Sequence, residues 1–305
     1  MLVAGIDGGQ SSTTAVVMNE SAEIVGRGVA GPSDHVDEPA DSRRCADACE
    51  SAVARALADG GWDAGTRLDA VVAGLSGYDG RLHGAAPDFE CARVRFVHDA
   101  PIALAGAIAR RPAVVVIAGT GSVAYAEDAA GGSVRVGGYG YVFGDEGSSF
   151  ALARAALAHA MALDDRGRRT GLGDAALAYF DRPTLRALAR AFYIKEVDRP
   201  QLAAFARVVF DAARLGDAEA DALVEDAARA LASLAAIALE RLGAGAAMVP
   251  VAFTGGMTAN AHVRDRATAH VREIAPNAQV VEPAREPAAG AALLALADAG
   301  ITAPA

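Results

Sequence analysis

The sequence predicts an α/β fold made of two domains, each with a mixed β-sheet flanked by helices. The chain has 305 residues, which is long for a single hydrophobic core. Segments typical of strands alternate with segments whose apolar residues recur at helical spacing. A strand, a turn rich in glycine and hydroxyl groups, and a second strand occur at residues 2–18, and the same order returns at 113–126. This duplication favours two related domains.

The first domain is predicted to cover residues 1–112. Its strands are short apolar runs, predicted at 2–7, 13–18, 23–29, 68–73 and 94–97. Its helices are predicted at 39–59, where Gly60-Gly61 is the stop signal, and from His98-Asp99 to Arg110.

The second domain is predicted to cover residues 113–286 and to be rich in helices, because alanine and leucine are frequent there. Its strands are predicted at 113–117, 123–126, 248–253 and 280–281. Its helices are predicted at 146–161, 174–190, 200–214, 217–242 and from about Asn260. The remaining segment, 287–305, is predicted to contain a C-terminal helix that packs back near the hinge.

Composition and charge argue against several classes of partner. The formal net charge is −10 and no Lys/Arg cluster occurs, so a polyanion such as DNA would be repelled. No apolar run reaches the ~18 residues that a membrane-spanning helix needs, and the start MLVAGIDGG lacks the basic region of a secretion signal. The three cysteines, Cys45, Cys49 and Cys91, are expected to be reduced thiols. We therefore expect a cytoplasmic protein with no nucleic-acid or membrane partner.

The first glycine turn, Asp7-Gly8-Gly9, has two interpretations. Glycine inside a strand pattern marks a tight turn or a close approach to the backbone, and this turn can be the polar tip of an ordinary hairpin. It can also hold phosphate groups, because its amides and the hydroxyls of Ser11 and Ser12 are donors and Asp7 suits Mg²⁺. These residues alone do not decide between the two.

Three later segments bear on this choice. Gly119-Thr120-Gly121 repeats the first turn, and Thr254-Gly255-Gly256-Met257 is typical of an ordinary βα turn but also suits a flat nucleoside lying against bare backbone. Each is weak evidence alone, whereas the three turns in this order are more specific. Residues 137–149, GGYGYVFGDEGSS, carry five glycines and two acids, which suit neither a strand nor a helix.

Together these motifs resemble the superfamily of ATP-binding proteins that joins sugar kinases, actin and the heat-shock chaperone ATPases. Within it, the chain resembles the branch that holds N-acetylglucosamine kinases and the BadF/BadG/BcrA/BcrD ATPases, over essentially its whole length. The resemblance implies two actin-like, ribonuclease H-like domains with an ATP cleft between them. It also implies ATP and Mg²⁺ as cofactors, an amino sugar as substrate, and a homodimer.

The resemblance implies a role for each matching residue. Asp99 matches the catalytic base, and Asp7 matches a Mg²⁺ partner that acts through water. The residues matched to ATP binding are Asp7, Gly8, Gly9, Ser11, Gly119, Thr120, Gly121, Gly216, Gly255 and Gly256. The residues matched to substrate binding are Asp34, Ser76, Asp99, Ser122, Val123, Gly138, Tyr139, Gly140 and Asp145.

Asp99 also makes chemical sense as a base. A sugar hydroxyl that attacks the γ-phosphate needs positioning, charge neutralisation and a carboxylate that accepts its proton. Asp99 follows a predicted strand and opens a predicted helix, where an aspartate is equally suited to capping the helix. The neighbouring His98 is expected to have a packing role, and His35 stays an open candidate for a sugar contact.

Departures from the family pattern bear on the substrate. Gln10 replaces a glycine of the first turn, and Tyr139 replaces a tryptophan common at its position. Asp34 stands where kinases of acetylated amino sugars often carry asparagine, and its carboxylate can accept two sugar hydroxyls or pair with a free ammonium. The predicted reaction is the ATP-dependent phosphorylation of N-acetylglucosamine to its 6-phosphate, with Asp99 as general base, and glucosamine is a competing substrate.

Two other functions compete with the kinase. A BadF-type ATPase that drives electron transfer to a dehydratase would carry a cluster-ligating cysteine just after the second phosphate turn, where this chain has Ser122. A sugar-sensing protein with degenerate catalysis would not need Asp7, Asp99 and Asp145 together. The sequence therefore favours the kinase.

Overall fold

A computed structural model of the chain describes residues 1–36, 38–243 and 247–301. The chain divides into two compact units, one joining residues 1–115 to those from 282 onward and the other spanning 116–281. The domains predicted at 1–112, 113–286 and 287–305 stay a prediction, because compactness alone does not establish independent folding. Parts of these predicted domains, at 37, 244–246 and 302–305, lie outside the described residues.

Strands and helices alternate along most of the chain. The strands are β1 Leu2–Gly8, β2 Thr13–Asn19, β3 Ile24–Ala30, β4 Ala70–Leu75, β5 Val94–His98, β6 Ala113–Ala118, β7 Ser122–Glu127, β8 Ser133–Gly137, β9 Val249–Thr254 and β10 Ala278–Val281. The helices are α1 Arg44–Asp59, α2 Asp99–Ala107, α3 Ser149–Asp164, α4 Gly171–Phe180, α5 Leu185–Tyr193, α6 Arg199–Ala204, α7 Ala206–Arg214, α8 Ala218–Leu242, α9 Ala261–Ile274 and α10 Pro287–Asp298. No helix among the described residues has the length and apolar character needed to cross a membrane.

The first unit is built on a mixed five-stranded sheet in the order β3-β2-β1-β4-β5. β1 pairs antiparallel with β2 through the first glycine turn, while β4 lies parallel to β1 on its other side. The hairpin interpretation of that turn is therefore confirmed as local structure. Helix α1 packs on one face of the sheet, and α2 and α10 pack on the other face.

Small residues let α10 approach its neighbours at backbone distance. A Cβ at Gly5 of β1 would lie 2.1 Å from the backbone nitrogen of Ala292 and 2.2 Å from the carbonyl oxygen of Ala288. A Cβ at Gly290 would lie 2.0 Å from the carbonyl oxygen of Ile102 in α2. These separations are far below van der Waals contact, so larger side chains there would push α10 away from β1 and α2.

The second unit has its own five-stranded sheet, in the order β10-β9-β6-β7-β8. β9 and β10 run parallel, whereas β7 and β8 run antiparallel, so this sheet is also mixed. Seven helices of the described chain, α3 to α9, lie between β8 and β10 in sequence. The helix-rich character predicted for this half is confirmed.

Several predicted helix boundaries are wrong. The single helix predicted at 174–190 is two helices, α4 and α5, because Asp181 takes a left-handed conformation with φ of 51° and Thr184 caps a new helix. The helix predicted at 200–214 is likewise two, α6 and α7, which meet at Phe205. Helix α1 begins at Arg44 rather than residue 39, and β8 was not predicted.

Candidate functional site

Three strands of the first sheet end side by side at one edge. Gly8 of β1 is paired with Leu75 of β4, which is in turn paired with His98 of β5. The residues that follow these positions are Gly9, Ser76 and Asp99. The pairing register therefore brings three segments predicted to bind ligand to the same edge of one sheet, as expected where parallel strands end.

Hydrogen bonds hold the first glycine turn to its neighbours. The amide of Gly9 donates to the carbonyl oxygen of Ser12 at 3.0 Å, and the amide of Ser33 donates to that of Gly9 at 3.1 Å. The amide of Ser76 donates to the carbonyl oxygen of Gly8 at 2.9 Å. Two further predicted residues lie in these segments, Ser11 exposed in the turn and Asp34 half-buried beside Ser33.

Asp7 lies near the end of β1, close to the carboxylates of Asp99 and Glu286. Burial, together with the neighbouring charges of Asp99 and Glu286, raises the pKa of its carboxyl to about 7. Glu286, just before α10, is paired with Arg27. Asp7 therefore lies where an ionised carboxylate is costly unless a cation comes close to it.

Asp99 is the first residue of α2, and the residue before it, His98, caps the helix. The Nδ1 atom of His98 accepts the amide of Ala100 at 3.2 Å, so His98 is the N-cap. The capping role predicted as an alternative for Asp99 is therefore wrong, and His98, expected to pack, also caps the helix. Asp99 keeps a side chain that is 22% exposed, and its buried Oδ1 atom has no hydrogen-bond partner among the described residues.

His35, considered as a sugar contact, is fully buried. Its Nδ1 atom lies 3.5 Å from the amide of His83, and its ring is 6.5 Å from that of Tyr78, centroid to centroid. Burial is the main cause that lowers the pKa of His35. A direct sugar contact is not supported by this placement.

In the second unit, two glycine turns lie next to each other. Gly119 follows β6, and its carbonyl oxygen accepts both the amide and the hydroxyl of Ser149 at 2.9 Å. The amide of Met257, which follows the turn after β9, donates to the carbonyl oxygen of Ala118 at 2.9 Å. The turns predicted to bind phosphate and adenosine thus meet at the end of β6.

The two glycines of the turn after β9 are needed for different reasons. Gly255 has φ of 97°, and a Cβ there would lie 2.4 Å from the carbonyl oxygen of Ala118, so the fold itself requires glycine. A Cβ at Gly256 would meet no atom within 4 Å. The protein's own packing therefore does not explain the glycine at position 256.

Asp145 is the buried acid of the second unit, with 5% of its surface exposed. One carboxylate oxygen accepts the amide of Ser122 at 3.3 Å, and the other lies 3.3 Å from a guanidinium nitrogen of Arg199. Burial raises the pKa of Asp145, although the Ser122 amide and Arg199 act against that rise. A Cβ at Gly121 would lie 2.8 Å from the same carboxylate, so this acid packs tightly on the second glycine turn.

Sequence reasoning did not identify Arg199. Its guanidinium lies 4.7 Å from the ring centroid of Tyr141 and 5.6 Å from that of Phe150, which fixes it beside Asp145. Arg199 opens α6, 54 residues after Asp145, and no local pattern connects the two. Only the folded chain brings them together.

The remaining predicted residues lie in the second unit. Val123 is buried and pairs with Gly137, and a Cβ at Gly138 would lie 3.1 Å from the Val123 side chain. Tyr139 is 75% exposed, in the loop that also contains Gly140. The last two occupy turns: Thr120 lies between β6 and β7, and Gly216 lies just before α8.

The family is established by a match over nearly the whole chain. A model of the BadF/BadG/BcrA/BcrD ATPase family matches residues 4–295. The chain belongs to this ATPase family. Membership confirms the resemblance drawn from the glycine turns.

Similar proteins include sugar kinases. The N-acetylmuramic acid/N-acetylglucosamine kinase of Clostridium acetobutylicum is 30% identical over 205 residues, which are 67% of each chain. The N-acetyl-D-glucosamine kinase of Dictyostelium discoideum is 31% identical over 204 residues, 65% of this chain and 64% of the relative. A crystal structure of a Chromobacterium violaceum protein assigned as an N-acetylglucosamine kinase has a TM-score of 0.77 at 28% identity, covering 97% of this chain and 98% of that one. This likeness confirms the predicted fold class.

The burial of Asp7, with the charges of Asp99 and Glu286 close to it, predicts a pH-dependent stability of the protein without ligands. Folding raises the pKa of this carboxyl from 3.8 to about 7, so stability is greatest while Asp7 is protonated and falls as pH rises towards 7. Asp7→Asn removes this titration. We expect the melting temperature of the variant, relative to that of the native protein, to be higher at pH 8 than at pH 5 by roughly 2 °C or more.

The measurement is thermal unfolding at both pH values, followed by circular dichroism. Asp63→Asn, at an exposed position, is the control and should show no such gain. An equal melting-temperature difference at pH 5 and pH 8 for Asp7→Asn would show that folding does not raise the pKa of Asp7.

Proposed function

We propose that this ATPase-family member is an ATP-dependent sugar kinase that phosphorylates N-acetylglucosamine at its 6-hydroxyl. The observation that carries the proposal is the sheet edge where Asp99 emerges beside the first glycine turn and Ser76. A carboxylate next to a turn of backbone amides supplies a proton acceptor and a set of phosphate donors in one place. The names of the relatives in Clostridium and Dictyostelium support an amino sugar as the acceptor.

The residues of the first unit divide the chemistry between them. The amides of Gly8 and Gly9 and the hydroxyl of Ser11 bind phosphate oxygens. Asp99 takes the proton of the sugar hydroxyl as that oxygen bonds to the γ-phosphorus, and the bond to the β-phosphate breaks to release ADP. Asp34 and Ser76 bind sugar hydroxyls.

Asp7 fits a role next to Mg²⁺. Its carboxyl has a pKa raised to about 7 by burial and by neighbouring carboxylates, and a divalent cation would relieve that crowding. Mg²⁺ is commonly held by one or two carboxylates with water and phosphate oxygens, and no cluster of three or more His, Cys, Asp or Glu residues suited to a metal occurs among the described residues. When bound, Mg²⁺ neutralises charge on the phosphates.

The residues of the second unit form two groups. Gly119, Thr120, Gly121, Gly216, Gly255 and Gly256 are proposed to contact ATP. Ser122, Val123, Gly138, Tyr139, Gly140 and Asp145 are proposed to contact the sugar. The hydrogen bond from Ser122 and the pairing with Arg199 keep Asp145 oriented, so its free lone pairs can accept sugar hydroxyls.

The alternatives differ in what the same residues would bind. Glucosamine would use Asp34 as partner for its free ammonium. An electron-transfer ATPase would need a cysteine at position 122, but the Ser122 hydroxyl donates to the carbonyl oxygen of Glu146 at 2.7 Å and the cysteines, all unpaired, lie in the first unit. We also propose a cytoplasmic location, which the free thiols support, and a homodimer, which only family resemblance supports.

The test is to identify the product with N-acetylglucosamine, glucosamine or glucose as acceptor. Phosphorus NMR should show the 6-phosphate of N-acetylglucosamine from the native protein. Asp99→Asn should lower its formation by about a hundredfold or more, because general bases contribute at least that much, while ATP affinity stays within about threefold. Asp63→Asn is the control. Full turnover by Asp99→Asn would rule out Asp99 as the base, and a 6-phosphate of glucosamine alone would transfer the proposal to that sugar.

Gly256 offers a separate test of the nucleotide site. A Cβ there meets open space within the protein, so Gly256→Ala should leave the melting temperature unchanged. If adenosine lies against this backbone, the methyl group should weaken ATP binding by about tenfold or more. Calorimetric titration with ATP measures this loss, and Gly65→Ala, also at an open position, is the control. Unchanged ATP affinity in Gly256→Ala would remove this turn from the site.

A further inference from the structure

The junction between β5 and α2 places two hydrogen-bonding groups around one ring nitrogen. The Nδ1 atom of His98 lies 2.7 Å from Oδ1 of Asp99 and also accepts the amide of Ala100 at 3.2 Å. A ring nitrogen can accept through its lone pair or donate through its hydrogen, but it cannot do both at once. At any one time, Nδ1 of His98 can therefore either accept the amide of Ala100 and cap α2 or donate a hydrogen to Asp99.

The two oxygens of the Asp99 carboxylate are not equivalent. Oδ1 is buried and has no hydrogen-bond partner among the described residues, although the side chain as a whole is 22% exposed. Because Oδ1 is buried, Oδ2 is the oxygen of the Asp99 carboxylate that is left to accept the hydroxyl of a substrate. The buried Oδ1 faces His98.

Energetics favour donation to Asp99 when its carboxylate is ionised. A buried charged oxygen without a donor is costly, whereas a hydrogen bond to an ionised group is about twice as strong as one between neutral groups. The separation of 2.7 Å already matches a charge-assisted bond, and only the alignment is missing. The amide of Ala100 is a neutral donor at a helix N-terminus, where water can replace the cap.

We propose that His98 is the positioning residue of the base, donating its Nδ1 hydrogen to Oδ1 of Asp99 and so directing Oδ2 towards the acceptor hydroxyl. The inference rests on the proposed kinase function, because it assigns His98 a part in the same proton transfer. A carboxylate fixed at one oxygen loses rotational freedom before substrate arrives, and such orientation raises the rate of the chemical step rather than the affinity for substrate.

Three substitutions separate positioning from capping. His98→Asn has an amide that can either donate to Oδ1 or cap Ala100, like the histidine. His98→Asp can cap the helix equally well but cannot donate as a carboxylate. His98→Ala can do neither and adds no charge.

Kinetics with ATP and N-acetylglucosamine should divide these variants. We expect kcat to fall by about tenfold or more in both His98→Ala and His98→Asp, since each loses a hydrogen bond to a charged group. His98→Asn should recover kcat to within about threefold of the native protein, and KM for both substrates should change by less than about threefold in all three. The melting temperature of His98→Asp should stay near the native value.

Each other pattern would overturn the inference. A loss of kcat in His98→Ala alone would mean that His98 only caps the helix, and a loss in His98→Asp alone would be an effect of added charge. A rise of KM without a fall of kcat would mean that His98 binds substrate instead.

The ring tautomer gives a readout that does not depend on activity. Nitrogen-15 NMR of histidine-labelled native protein should show His98 protonated at Nδ1, with the signal assigned by its absence in His98→Asn. A ring with a bare Nδ1 would overturn the inference even in an active kinase. If the native protein forms no sugar phosphate, the proposed function fails, and the tautomer still decides whether His98 holds Asp99.

Discussion

Backbone contact between β1 and α10 is the constraint on which the candidate site of the first unit depends. Gly5 lets α10 lie directly on β1, and Gly290 lets the same helix lie directly on α2. Three carboxylates occupy the ends of these packed elements, Asp7 at the end of β1, Asp99 at the start of α2 and Glu286 just before α10. Packing of apolar and small residues therefore decides where the negative charge of the site accumulates.

This accumulation of negative charge lowers the stability of the protein without ligands and favours the binding of a cation. Burial and two neighbouring carboxylates raise the pKa of Asp7 to about 7, so the ionised form is held against its preference. Functional sites commonly keep such destabilising arrangements because binding relieves them. Asp145 of the second unit differs from Asp7, because Arg199 and the Ser122 amide already stabilise its charge.

Local patterns were enough to predict most strands, the two glycine-turn repeats and the family. Contacts between distant segments were not predictable, because they depend on packing that no short window of sequence encodes. Arg199 meets Asp145 only in the folded unit, and the contact of the His98 ring with both Ala100 and Asp99 is likewise visible only in the structure. The glycines of the turn after β9 also have different reasons to be there. Position 255 needs glycine because of its backbone conformation and its contact with Ala118, whereas position 256 has no such structural need.

We propose that this family member uses ATP to phosphorylate a sugar rather than to act on a protein partner. The most direct measurement is the rate of ADP formation by the purified protein with Mg²⁺, compared with and without N-acetylglucosamine. A kinase whose site excludes water until the acceptor binds should release ADP at least about tenfold faster with the sugar. An equal rate of ADP formation with and without any amino sugar would contradict the account and indicate an ATPase.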